Sequence, residues 1–283
     1  KDWNAKMLND EHYKVVKYSA DSSFVFPSVD IKGGVAITLW DKSQNFGKIE
    51  LFSAYEELKS VLSKTQEKWT ESFSTIVGPR ELYRLTDELY MDNPLFDGRQ
   101  SVGHKYSFGA NIFDIFPEIF SNEAEHPNNA KVFGRYENQR CFKFMNPKYL
   151  SEPESFKKYK IIVPEANGTG AIGEVLSTPI ICTPITGHTD TFISVGCFDN
   201  IFEAEACLKY VKSKFARTLL GILKVTQHNP RETWAYVPLQ DFTSGSDIDW
   251  SVSVAEIDKQ LYDKYGLTSE ECEFIETMIK PME

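Results

Sequence analysis

The chain has 283 residues, 31 basic and 41 acidic, for a formal net charge of -10. A composition of 41% apolar, 13% aromatic and 25% charged residues is that of a globular protein and excludes a disordered, collagenous or coiled-coil chain. No apolar run approaches the ~20 residues of a membrane span, so no membrane partner is expected.

Five scattered cysteines (Cys141, Cys182, Cys197, Cys207 and Cys272) form no CxxC pair. That pattern argues against a disulfide framework or a structural zinc and for a reducing, cytoplasmic setting. The start, Lys1-Asp2-Trp3-Asn4, carries no initiator Met and no signal sequence and reads as the cut end of a longer chain. A chain of this length is expected to hold two compact units.

In chain order, residues 13–18 and 34–40 are β-rich runs. Ser22-Ser23, Pro27 and Gly33-Gly34 between them predict a long hairpin-like excursion. Ser53, with Glu56 three residues on, predicts a capping box ahead of a helix carrying Leu58, Val61 and Leu62. Residues 67–130 mix short apolar runs with Pro79, Pro94, Pro117 and Pro127, which predicts irregular structure with a few strands. Residues 131–198 read as β, from VFGRY, CFKFM, KYKIIVP, IICTPI and TFISVGCF.

Asn200 as a cap and the stripe Ala204, Leu208, Val211, Phe215 and Leu219 predict one helix over 200–223. Two more helices are expected: one over 254–265, stopped by Gly266, and one over 269–279 after the cap Thr268.

Charge is uneven. Residues 241–283 hold 11 acidic and 3 basic side chains, whereas residues 131–160 hold eight Lys/Arg against Glu137, Glu152 and Glu154. Seven aromatics interleave with those cations, which suits a polyanion with stackable bases. A solvated sheet face over core aromatics is the competing reading.

Two motifs carry little. Residues 168–173 match GxGxxG, but Ser177-Thr178-Pro179 stops the helix that a dinucleotide site needs. The five histidines form neither HxH nor HxxxH, so no metal ligand set is expected.

Several stretches resemble one family. Val25-Phe26-Pro27 and residues 30–38 are similar to the end of the catalytic domain of gamma-class adenine-N6 DNA methyltransferases. Residues 188–198, 203–242 and 261–281 resemble the C-terminal parts of fused type II restriction-modification methylases, where a target-recognition region follows the methylase domain. The family's cofactor glycine motif and Asn-Pro-Pro-Tyr/Phe motif are absent, so no catalytic residue and no cofactor are assigned here. S-adenosylmethionine belongs to the parent enzyme, which is expected to be a site-specific adenine methyltransferase, alone or fused to a restriction endonuclease.

The resemblance implies an α+β fold, with a β-rich target-recognition domain, long C-terminal helices and a preceding, incomplete strand pair from the methylase domain. The implied divisions are 1–50 (methylase remnant), 51–240 (recognition) and 241–283 (acidic helical tail). Its implied partners are double-stranded DNA and the remainder of the parent chain. Phe26 matches the aromatic that stacks on the flipped adenine.

The residues proposed to contact DNA are Arg99, Arg135, Arg140, Lys143, Lys148, His188, Thr189, Gln227 and Asn229; of these Arg99, Arg140, His188, Thr189, Gln227 and Asn229 are expected in loops, and strand alternation is expected to put Arg135 with Lys131 on one face. Of these, Arg135, Arg140, Lys143 and Lys148 are expected on one basic face, with Arg140 on a connecting turn. The alternatives are a type I-like specificity subunit acting in trans and a non-enzymatic protein-interaction module.

Overall fold

Strand-forming runs pair locally at the start of the chain, and longer-range pairing follows. A computed structural model describes residues 2–19, 22–29, 31, 34–49, 55–168, 172–224 and 226–282. Ser53, Thr169, Gly170 and Ala171 lie outside the described residues, as do Asp30, Lys32 and Gly33 of the methylase-like stretch. The chain divides into two compact units, Lys1–Ser63 and Lys64–Glu283.

In the first unit, α1 (Asp2–Leu8) precedes β1 (Tyr13–Ser19) and β2 (Val35–Trp40). The strands pair antiparallel from Tyr13↔Trp40 to Ser19↔Val35, around an irregularity between Val15 and Lys17. The expected excursion is therefore a two-stranded antiparallel pair, and no third strand joins it among the described residues. The predicted helix forms as α2 (Glu56–Lys68), which crosses the unit boundary and buries Leu58, Val61 and Leu62.

The second unit opens with the irregular segment. The few strands expected there are corrected: the segment forms α3 (Asp87–Asp92), α4 (Ile112–Ile115) and 3-10 turns, with only isolated bridges such as Leu85↔Leu150. Prolines at 94 and 117 open 3-10 turns there, since proline lacks the N–H that a ladder needs.

Six strands follow: β3 (Ala130–Tyr136), β4 (Gln139–Met145), β5 (Tyr159–Pro164), β6 (Ile180–Cys182), β7 (Thr186–His188) and β8 (Phe192–Phe198). They make two three-stranded sheets, β4-β3-β7 and β6-β5-β8. β3 pairs antiparallel with β4 and parallel with β7.

Two cores clamp the base of the β3–β4 hairpin. Ala130, Val132 and Met145 enter a core with Tyr83, Leu89, Phe108, Phe113 and Phe116 from the irregular segment. Phe133 and Phe142, on the other face, pack with Ile162, Cys182 and Phe192 of the second sheet. Phe133 lies 4.8 Å from Phe142 and 4.4 Å from Phe192, ring centre to ring centre. Burial of both faces fixes the strand register, because a one-residue slip would exchange every side chain between the two cores. Residues 135–140 lie beyond both cores and are exposed.

The single helix expected over 200–223 is corrected to two, α5 (Ile201–Lys212) and α6 (Lys214–Leu223). Ser213 breaks it with an extended ψ of 146°, and its side chain accepts from Ala216 N. The next two amides, Lys214 N and Phe215 N, donate to the Asp258 carboxylate at 3.0 and 2.9 Å. A new N-terminus inside the core leaves orphan N–H groups, and a buried acid satisfies them.

Asp258 sits on α7 (Val254–Tyr265), which ends at Gly266 in the left-handed region, and α8 (Ser269–Met278) follows. Both helices begin with a capping box, Ser253/Glu256 and Thr268/Glu271. α7 packs on α5 and α6, and α8 packs on α6. The fold is α+β with C-terminal helices. No helix among the described residues is long and apolar enough to cross a membrane.

Candidate nucleic-acid interface

The hairpin turn needs two residues with positive φ. Glu137 (49°) and Asn138 (61°) supply them, the pattern of a two-residue turn that matches the twist of the flanking strands. Directly opposite residues of an antiparallel pair project to one face. The registers Arg135↔Arg140 and Phe133↔Phe142, with Lys131 two residues before Phe133, place Lys131, Arg135 and Arg140 on one face. Lys143 opposes Val132 on the other. The expected single basic face is thus corrected: strand alternation divides it. Arg140 is on β4 rather than on the turn.

The eight cations of residues 131–160 fall into two groups. Lys148 pairs with Asp92, Lys157 with Glu152 and Lys158 with Asp199. Lys160 is fully buried, its Nζ donates to Ser155 O (2.7 Å) and Lys158 O (3.2 Å), and burial lowers its pKa to about 8.

The other four have no carboxylate partner among the described residues. Lys131 Nζ lies 4.0 Å from the centre of the Phe142 ring. Lys143 Nζ lies 4.3 Å from that of Tyr136 and donates to Asn122 Oδ1 at 3.3 Å. Arg135 donates to Asn138 O at 3.2 Å, within its own hairpin. Arg140 donates to Thr178 O (3.1 Å) and Ser177 O (3.4 Å), with its guanidinium 5.6 Å from the Phe192 ring centre. Partial burial, then the Arg135 charge, lower the Arg140 pKa from its ordinary value. Against the single acid of the turn, Glu137, four cations gathered on one hairpin leave a net positive potential there.

The other proposed contacts lie elsewhere. Arg99 makes a two-pronged pair with Glu118, both bonds 2.8 Å, over the Phe96 ring. Lys148 is neutralised by Asp92 and lies off the hairpin.

His188 and Thr189 were expected on a surface loop, and this is corrected. His188 ends β7 and both residues are buried, because Thr189 N donates to Phe133 O in the sheet. Burial lowers the His188 pKa to about 4. Gln227 is exposed and its carbonyl accepts from Asn167 N at 2.6 Å. Asn229 is fully buried, donating from Nδ2 to Pro164 O at 3.4 Å, with Oδ1 lacking a partner in the described structure. Burial excludes its side chain as a surface contact. Phe26 is 47% exposed and lies in the turns between β1 and β2, neither in a strand nor in a core.

Asn167, Gln227 and Asn229 do come together at the end of β5, where Asn229 N donates to Glu165 O. Asn167 holds the segment after the glycines. Its Oδ1 accepts from Ser177 N (2.6 Å) and Ser177 Oγ, and its Nδ2 donates to Val175 O (2.6 Å). Two buried cations hold the two ends of the glycine segment, Lys224 at the C-cap of α6 with Nζ on Asn167 O (2.8 Å) and Arg217 of α6 on Glu174 O (3.5 Å).

A Cβ at Gly173 would fall 2.0 Å from Met278 O, so close backbone approach, not a pyrophosphate, requires this glycine. The cavity beside it, about 20 Å³ of space for water centres, has room for about one water molecule rather than a base. No helix opens after Gly173, so this is no dinucleotide turn.

Sequence reasoning missed the clasp of Arg140 by the Ser177 and Thr178 carbonyls, since main-chain acceptors have no sequence signature. Among the described residues no group of three or more His, Cys, Asp or Glu is placed to hold a metal ion. No protein-family model matches this chain, and no curated protein matches it significantly.

Proposed function

We propose that this chain is the DNA target-recognition region of a restriction-modification adenine-N6 methyltransferase, and that the β3–β4 hairpin is inserted into a groove of double-stranded DNA. One observation carries the reading: Lys131, Arg135, Arg140 and Lys143 share a projecting hairpin and lack carboxylate partners among the described residues, while neighbouring lysines are paired or buried. The major groove admits a two-stranded ribbon, and a hairpin entering tip-first meets a phosphate strand on each side. Cations on both faces fit that arrangement. The exposed tip residues Asn138 and Gln139 carry the amides that suit base edges. The resemblance of residues 188–198, 203–242 and 261–281 to methylase C-termini supports the same reading. Transfer of the methyl group, and S-adenosylmethionine with it, belong to the remainder of the parent chain.

Binding of the chain to duplex DNA over a salt series tests this. Four phosphate contacts at most give a log–log slope no steeper than about -3.6. Arg135→Ala with Lys143→Ala is expected to weaken binding on all sequences and to flatten the slope by about 1 per contact. Unchanged affinity and slope would remove the hairpin from the interface.

A further inference from the structure

The four cations are not equivalent in how firmly they are held. A phosphate can be gripped by a mobile lysine, because a point charge has no preferred orientation. A guanine is read through O6 and N7 by two parallel N–H bonds, which requires a guanidinium whose plane is already fixed. Lys131 rests against an aromatic ring, and Lys143 against a ring with one bond outside the hairpin, to Asn122 Oδ1 at 3.3 Å. Arg135 bonds only within its own turn. Arg140 is fixed from outside the hairpin: by Thr178 O, by Ser177 O and by the face of Phe192. Two of its five N–H donors are engaged there, leaving three for a ligand.

The acceptors are themselves held. Asn167 is buried, and its side chain grips Ser177 by N–H and hydroxyl and Val175 by its carbonyl. Lys224, the C-cap of α6, anchors the Asn167 carbonyl in turn. A chain of contacts therefore runs from the helical layer through Asn167 and Ser177 to Arg140.

We infer that Arg140 reads a guanine in the major groove, and that Asn167 is a positioning residue that fixes Arg140 through Ser177 and Thr178. The inference rests on the DNA reading above and adds to it the base and the reader. Arg135, Lys131 and Lys143 are left as the phosphate grips. Lysine at 140 keeps the charge but not the planar fork, so charge and reading separate in one substitution.

The test is selection by the full chain from a pool of duplexes with a randomised core, followed by affinity measurements on the selected duplex. Wild type should select a G·C pair at one position, an A·T pair there should cost roughly 5- to 150-fold in affinity, and 7-deazaguanine, which keeps O6 but lacks N7, should cost part of that. Arg140→Lys should lose that preference and leave the salt slope unchanged. Asn167→Ala should relax the same position alone, and Asn167→Asp, which keeps the oxygen facing Ser177, should restore part of it. If Arg140→Lys retains the preference, or wild type binds duplexes without selecting any sequence, the reader assignment is overturned while DNA binding stands. If Asn167→Ala folds and relaxes nothing, its positioning role is overturned. If wild type binds no duplex at all, the DNA reading falls and this inference with it.

Discussion

His188 is a neutral imidazole with one tautomer: Nδ1–H donates to Thr189 O (2.9 Å) and Nε2 accepts from Ser194 Oγ (2.7 Å). The Tyr83 ring meets it edge-on at 4.8 Å. Burial lowers its pKa from 6.5 to about 4. A depressed pKa contributes stability that is present above the unfolded value and is lost as pH falls through the folded one. The loss therefore begins near pH 6.5, nears completion around pH 4, and amounts to about 3 kcal/mol. His188→Gln is expected to remove this component, so its urea-unfolding free energy should fall less than that of wild type between pH 6.5 and 4. Parallel pH profiles for the two proteins would show that the imidazole is not held neutral by the fold.

At the scale of elements, the break between α5 and α6 is decided by a residue 43 positions after Phe215, Asp258 on α7. Its two bonds to Lys214 N and Phe215 N fix the start of α6 and tie it to α7. Asp258→Ala would leave the buried Phe215 amide and the part-buried Lys214 amide unbonded and is expected to cost about 2–3 kcal/mol in chemical denaturation, with Asp258→Asn costing less. The charge effect runs opposite to that of His188. Burial raises the Asp258 pKa from 3.8 to about 6, against the two amide bonds that lower it. Its proton-linked stability is full below pH 3.8 and is lost as pH rises through about 6. Asp258→Asn should therefore steepen the acid-side loss of stability relative to wild type, and His188→Gln should flatten it.

At the scale of the whole molecule, a net charge of -10 and a pI near 5.1 exclude general coating of nucleic acid. Local geometry makes a basic hairpin possible all the same. The acidic C-terminal segment is packed on α5 and α6, and part of its charge is met by lysines away from the hairpin: Lys64 on Glu271, Lys214 on Glu276 and Lys264 on Asp247. Phe26 lies in the first compact unit and the hairpin in the second. On the methyltransferase reading proposed above, Phe26→Ala in the full enzyme is expected to lower the methylation rate by the loss of base stacking, roughly 1–3 kcal/mol. The salt slope of DNA binding should stay as it is. Unchanged methylation kinetics would remove Phe26 from the base pocket.

Local signals were legible wherever a local rule sets the structure. The strands of 131–198, the capping residues Asn200 and Thr268 and the stop at Gly266 follow from side-chain period, cap chemistry and backbone conformation. The richness of residues 131–160 in cations was equally plain. Which of those cations stay without an acidic partner was decided only in three dimensions. Asp92 reaches Lys148 and Asp199 reaches Lys158 across long stretches of chain, and ion pairing depends on distance in space rather than in sequence. The same holds for Arg140, whose anchors are carbonyls 37 and 38 residues away. It holds too for His188, which pairing of β7 with β3 draws into the core. The sequence by itself determined the strand runs of 131–198 and most helix caps, because periodicity and caps act within a turn or a strand. The tertiary structure alone decided which charges remain open to a partner, because burial and pairing are properties of the packed chain.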